Sequence, residues 1–157
     1  YIDILIKNAG AQNSEDDIDT NLKGLINTTE TYGLQSKIKS IVNMASVSAH
    51  TGAEFPRYAA SKGGVLAYTK WTANEIAKYG ATCNSLSFGG VSTYLNESVM
   101  KDKEKWFEIM RLTPLKKWAT PQEAAEWTYF ISVINKSMTG QDIIIDNGET
   151  SKTNFVW

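Results

Sequence analysis

The strongest constraint on this chain is a rhythm of four short apolar runs separated by longer stretches that carry helix signals. The runs are Ile2–Ile6, Ser40–Ala45, Ala81–Phe88 and Asp142–Asp146. The last holds Ile143-Ile-Ile145, continuous rather than alternating, as a strand covered on both faces requires. Between the runs, Ser14-Glu-Asp-Asp17 reads as a capping box opening a helix through about Leu34. A second helix runs from about Pro56 to Tyr79 and is closed by Gly80, which suits the left-handed position past a helix end. Thr120-Pro-Gln-Glu123 opens a third: Thr caps, Pro takes the first helical position, and Glu reaches back. Strand, helix, strand, helix, strand, helix, strand implies an α/β fold, a doubly wound parallel sheet of about four strands with helices on both faces.

A length of 157 residues suits a single domain with a real core. Net charge is −1, and both signs are interspersed, so no basic stripe points to nucleic acid or a membrane surface. The run Lys101-Asp-Lys-Glu-Lys105 alternates in sign and reads as a solvated face. No apolar stretch is long enough to span a bilayer, and Tyr1-Ile-Asp-Ile-Leu-Ile lacks the basic start of a signal peptide. Cys83 is the only cysteine, which excludes an internal disulfide and a cysteine-based zinc site and fits a reducing, cytoplasmic compartment. His50 is the only histidine and no Gly-x-Ser-x-Gly elbow exists, which argues against a Ser-His-Asp hydrolase.

In such sheets a ligand crevice forms at the carboxyl ends of the strands. Asn8-Ala9-Gly10, Ser46 and Phe88-Gly89-Gly90 all follow strand ends, so they should meet on one rim. Tyr58 and Lys62 stand four apart, on one face of a helix. A free tyrosine has a pKa of about 10, and a nearby ammonium favours the phenolate; reaching about 7 needs roughly 4 kcal/mol of differential stabilisation. A serine hydroxyl beside the phenol could orient a carbonyl or alcohol oxygen for proton transfer. With 7 tyrosines in 157 residues, a Tyr-x-x-x-Lys pair arises by chance about 0.6 times, so its weight comes from its surroundings.

Those surroundings resemble the short-chain dehydrogenase/reductase family, nearest to 3-oxoacyl-[acyl-carrier-protein] reductases and glucose or sugar-alcohol dehydrogenases. The similarity rests on landmarks in the family's order: Asn8-Ala9-Gly10, Asp19-Thr-Asn21-Leu-Lys-Gly24, Ile41-Val-Asn-Met-Ala-Ser46, Tyr58-Ala-Ala-Ser-Lys62, Asn84-Ser-Leu-Ser-Phe-Gly-Gly-Val-Ser-Thr93 and Thr139-Gly140-Gln141. It implies a Rossmann-like fold and an oxidoreductase that uses NAD or NADP to interconvert a carbonyl and a secondary alcohol. By this resemblance Tyr58 is the general acid/base, Lys62 holds the nicotinamide ribose and lowers the tyrosine pKa, and Ser46 positions the substrate oxygen. Asn21 would hold a water linking Lys62 to solvent. Asn8, Ala9, Gly10, Gly89, Val91 and Thr93 would lie against the cofactor with Tyr58 and Lys62, and no metal is implied. Gly63 and Gly64 sit inside a helix, where each costs roughly 1 kcal/mol; the family pairs that helix across a subunit interface, so a homo-oligomer, dimer or tetramer, is implied. Residues Tyr94–Met110 read as an apolar lid over a small-molecule substrate.

The departures from the family pattern carry their own expectation. The chain opens at what resembles the family's fourth strand, so residues 1–157 read as one partial domain without the glycine-rich phosphate-binding turn. The stretches from Gly10 to Asn21 and from Thr29 to Asn43 are shorter than in the family, as if segments near Ala11–Ser14 and Gly33–Lys39 were omitted. Lys7 stands where the family has Asn, Phe88 where it has Pro, and Asn147 where it has Gly. The alternative to an enzyme is a truncated relative that keeps the fold for oligomerisation or ligand binding.

Overall fold

The computed structural model describes residues 1–53 and 55–151. Four strands form one sheet in the order β1 (Ile4–Lys7), β2 (Ser40–Met44), β3 (Thr82–Phe88) and β4 (Asp142–Ile145), and every neighbouring pair is parallel. These are the four apolar runs of the sequence; Ile2, Ala45, Ala81 and Asp146 fall just outside the strands.

Helices supply the crossovers that parallel strands require. Helix α1 (residues 19–33) joins β1 to β2, α2 (Ser48–Thr51) and α3 (Pro56–Ile76) lie between β2 and β3, and α4 (Glu97–Lys101), α5 (Lys103–Leu112) and α6 (Pro121–Tyr129) precede β4. Ile41 and Cys83 pack with Ala73 and Ile76 of α3 on one face of the sheet. Val42, next to Ile41, and Leu86, three residues on from Cys83, pack with Ile131 after α6 on the other. The two-residue period of a strand thus gives each helix layer its own row of side chains. Burying each of the larger ones stabilises the fold by about 1.5–3 kcal/mol.

Helix ends follow the sequence with one correction. Thr120 accepts from the Glu123 amide while the Glu123 carboxylate takes the Thr120 amide, a complete capping box. A 3₁₀ turn, Ala77–Tyr79, extends α3, and Gly80 follows at φ 68°. The Ser14–Asp17 box forms only in part. The buried Asp17 carboxylate accepts from the amides of Asn13 and Ser14, each at 3.1 Å, but the Ser14 hydroxyl donates to it rather than receiving an amide. Helix α1 also departs from regular α geometry. Asp19–Lys23 and Thr29–Gly33 have π spacing around a single α segment, Gly24–Thr28. Such bulges are rare and gather at functional sites.

Gly64 has a local reason. A Cβ there would lie 2.6 Å from Leu22 Cδ2 of α1, whereas Gly63 has nothing within 4 Å. Lys7 is buried at 8 % exposure, its ammonium against the Thr29 hydroxyl and 3.5 Å from the Leu25 carbonyl oxygen. Burial pushes its pKa down to about 8, and the nearby Cys83 opposes that weakly. Burial likewise lifts the Cys83 thiol to about 12, which leaves it inert. Among the described residues no helix is long and apolar enough to cross a membrane, and no group of His, Cys, Asp and Glu could hold a metal.

Candidate active site

The loops after the strands converge on one rim, as the parallel topology dictates. The ladder continues past the strand ends: Ala45 N donates to Leu86 O, Val47 N to Phe88 O and Gly89 N to Ile145 O, at 2.8, 3.1 and 3.0 Å. This carries Ser46 and Gly89 to the same mouth. There a cavity of about 330 Å³ is lined by Gln12, Ser46, Tyr58, Gly90, Asn96 and Trp118, among others. Ser46 and Tyr58 therefore share a cavity, and their side chains are hydrogen-bonded.

Lys62 lies behind Tyr58 on α3, one turn on. Its ammonium donates to Met44 O at 2.8 Å and lies 5.5 Å from the centre of the Tyr58 ring. It is 6 % exposed, and burial pushes its pKa down to about 8. The phenol does not behave as its spacing suggested. Burial raises the Tyr58 pKa above the usual value; the Ser46 hydrogen bond opposes this, and the Asp17 carboxylate adds to it. In this arrangement burial outweighs the pull of the Lys62 ammonium on the phenol. The ammonium spends a hydrogen bond on the strand carbonyl.

Asn21 occupies the first π segment of α1 and is 2 % exposed. Its Oδ1 accepts from Ala11 N at 2.8 Å, and its Nδ2 donates to Ala11 O at 2.8 Å and to Ser61 Oγ at 3.0 Å. Ser61 in turn donates to the Tyr58 carbonyl oxygen at 2.7 Å. Asn21 thus fastens the turn after β1 to the helix that bears Tyr58 and Lys62. An amide oxygen has two lone pairs, so one remains for a water. Gly10 sits between the two groups: a Cβ there would lie 3.2 Å from Asn21 Oδ1 and 3.8 Å from Lys62 Nζ.

The residues expected against a cofactor divide between cavities. Asn8, Val91 and Thr93 line a groove of about 780 Å³ with Phe88, Pro121 and Tyr129. Asn8 and Ala9 line a further one of about 370 Å³ that includes Asn21. Gly89 lies in the Ser46–Tyr58 cavity instead, and Phe88 and Val91 form a wall common to that cavity and the large groove.

Several residues of the site were not legible beforehand. Trp118 covers Gly90 so closely that a Cβ there would lie 2.0 Å from its Cε2, and it meets Trp106 edge-on at 5.0 Å. The double glycine was the only sign of this close approach. Asp17 was legible only as a helix cap, and Gln12 gave no signal. The lid differs from its expected role: Tyr94 is 83 % exposed, Leu95 74 % and Phe107 65 %, so these apolar side chains face solvent, while Asn96 and Ile109 reach the cavity. His50 does meet an aspartate and a serine, Asp142 at 2.7 Å and Ser87 at 3.3 Å, but both bond the same Nε2. A hydrolytic triad needs the two partners on opposite ring nitrogens.

Residues 1–150 match the family model described as enoyl-(acyl carrier protein) reductase. The chain belongs to the short-chain dehydrogenase/reductase family. It is 35 % identical over 165 residues to the 3-oxoacyl-[acyl-carrier-protein] reductase FabG of Chlamydia pneumoniae, covering 95 % of this chain and 66 % of that protein. It is 30 % identical to the 2-dehydro-3-deoxy-D-gluconate 5-dehydrogenase of Dickeya dadantii, covering 94 % and 65 %. Among solved structures it is similar to a 4-hydroxyisoleucine dehydrogenase complexed with NADH, with a TM-score of 0.84 at 34 % identity, covering 96 % of this chain and 69 % of that one. A gluconate 5-dehydrogenase from Burkholderia cenocepacia in complex with NADP and tartrate gives 0.84 at 28 %, covering 97 % and 66 %. The chain spans about two thirds of the length of the curated relatives it matches.

Proposed function

We propose that this protein is an NAD- or NADP-dependent oxidoreductase that interconverts a small-molecule carbonyl and a secondary alcohol, with Tyr58 as the general acid/base. The observation that carries the reading is one cavity holding a half-buried phenol hydrogen-bonded to a serine hydroxyl, with a buried ammonium behind it. Relatives that bind NADH and NADP support the cofactor class.

The residues present fit such a cofactor. A Cβ-free cradle at Gly10 adjoins the Lys62 ammonium, whose one protein partner given by the geometry is Met44 O, so donors remain for a ribose hydroxyl. Asn8, Val91 and Thr93 line a groove large enough for a ring system beside the Tyr58 cavity. When bound there, a nicotinamide supplies or accepts the hydride.

The chain itself handles the proton. In reduction, the Ser46 hydroxyl and the Tyr58 phenol both address the substrate oxygen. Tyr58 gives up its proton as charge develops on that oxygen, and Lys62 stabilises the resulting phenolate through space. The raised phenol pKa suits this direction, because the group is protonated before the step. Oxidation asks for the reverse transfer and hence for a higher pH. Asn21, through the remaining lone pair of Oδ1, would hold the water that returns a proton to this network. We extend the reading to a cytoplasmic homo-oligomer; Trp71, 43 % exposed on α3 and stacked on Tyr68, offers apolar surface for a partner copy.

The test is to titrate the full-length protein with NADH and NADPH, following nicotinamide fluorescence, and then to assay ketone–alcohol pairs. Saturable binding with turnover of at least one pair is expected. Binding without turnover of any ketone or secondary alcohol would overturn the proposal.

A further inference from the structure

We infer that His50 is a positioning residue for Ser46, acting by pinning the short helix α2 to the far side of the sheet. The inference rests on the oxidoreductase reading of the Ser46–Tyr58 cavity. Ser46 does not hold its own orientation. Its Oγ accepts from Ser48 N at 3.2 Å, and its carbonyl oxygen accepts from Ala49 N at 3.0 Å, so the first turn of α2 fixes where the hydroxyl points. That accepted bond leaves the Ser46 hydrogen to be given to the Tyr58 phenol in the cavity.

Helix α2 has four residues, too few to be stable by itself. Its backbone is tied to the sheet through Val47 N, which donates to Phe88 O at 3.1 Å. Further along, the ring of His50 crosses β3 to reach β4. Its Nε2 donates to Asp142 Oδ2 at 2.7 Å and lies 3.3 Å from Ser87 Oγ. Asp142 is itself locked, because Ser85 Oγ donates to its Oδ1 at 2.6 Å. The Asp142 side chain is 13 % exposed and that of His50 31 %, so the pair is shielded enough for the bond to hold one geometry. Ser85 and Ser87 lie two apart on β3 and so share one face of it. The result is a hydrogen-bonded brace from the turn bearing Ser46, over β3, to the first residue of β4. Without it, α2 keeps its packing on α3 and the Val47–Phe88 bond, and the serine hydroxyl loses the tie that holds its turn to β4. A small misplacement of a group that orients the substrate oxygen is enough to cost up to about a hundredfold in rate.

The test uses the full-length protein, its cofactor and a ketone–alcohol pair that it turns over. His50→Leu is expected to lower kcat about tenfold with the cofactor Kd unchanged, and His50→Gln, which keeps a donor for Asp142, to stay within about threefold of the parent. Because both act through one hydroxyl, His50→Leu added to Ser46→Ala should cause no further loss. A merely structural role would lower the amount of folded protein without this rescue or this lack of additivity. The His50 nitrogen resonances, assigned by their loss in His50→Gln, are expected to show the neutral ring carrying its proton on Nε2. A proton on Nδ1, parental kcat in His50→Leu, or losses that multiply with Ser46→Ala would each overturn the inference and leave the oxidoreductase reading intact. A protein that turns over no ketone or alcohol overturns both.

Discussion

Lys7 is a charge in the wrong place, and its replacement should make the protein more stable. The side chain is 8 % exposed at the end of β1, and burial brings its pKa from 10.5 to about 8. At about 1.4 kcal/mol per pKa unit, that difference is a penalty of roughly 3 kcal/mol for keeping the group charged below pH 8. Its ammonium is compensated in part by the Thr29 hydroxyl and the Leu25 carbonyl oxygen. Those two groups do not depend on it, because Thr29 Oγ1 donates to Leu25 O at 2.8 Å. Lys7→Met therefore leaves no orphaned partner, and it fills the same space without a charge. Subtracting about 1.5 kcal/mol for the lost charged hydrogen bond leaves a net gain of about 1–2 kcal/mol at pH 7. The sign of the pH dependence follows from the lowered pKa. Between about pH 8 and 10.5 the unfolded chain binds the proton that the folded chain has released, so the parent gains stability as pH rises through this window and the variant gains less. Urea unfolding of both proteins at pH 7 and pH 10 measures this directly. A variant less stable than the parent at pH 7, or a difference that stays constant to pH 10, would refute the reasoning.

Other consequences follow from the same geometry. Lys62 stabilises the phenolate only while charged, so reductive kcat should fall as pH rises through about 8, and Lys62→Met should remove that limb together with most of the activity in a pH–rate profile. Gly90→Ala would drive a Cβ into the Trp118 ring, whose edge is held by Trp106; a loss of about 1–3 kcal/mol in unfolding and a marked fall in turnover are expected. Gly63→Ala meets open space in mid-helix and should stabilise by about 0.5–1 kcal/mol, while Gly64→Ala meets Leu22 and should be the less stable of the two by thermal melting.

The sheet was legible because its strands follow short apolar runs, of which Ile143-Ile-Ile145 is the plainest, but β4 is not covered on both faces: Ile144 is 43 % exposed. The start of α6 was equally plain, since Thr120, Pro121 and Glu123 each serve the same helix end. The box at Ser14 misled because Asp17 had two possible uses: its carboxylate collects the amides before the helix instead of completing a reciprocal pair. Tyr58, Lys62, Ser46 and Asn21 could be located from motif order, but not their electrostatics. Spacing placed Lys62 beside the phenol without revealing that its ammonium bonds Met44 O, or that burial would dominate the Tyr58 pKa. The bond between His50 and Asp142 joins positions 92 apart in sequence and has no local signature. Nor could the pattern show that Tyr94, Leu95 and Phe107 face outward, because an apolar stripe looks the same whether it covers a cavity or meets solvent.

The central claim is that Tyr58 gives and takes the proton. The decisive measurement is kcat of Tyr58→Phe in the full-length protein alongside its affinity for NADH or NADPH by nicotinamide fluorescence. The variant keeps the buried ring and its packing and loses only the hydroxyl that Ser46 hydrogen-bonds. The account predicts a fall in kcat of about a hundredfold or more with cofactor binding nearly unchanged. Turnover close to that of the parent would contradict it.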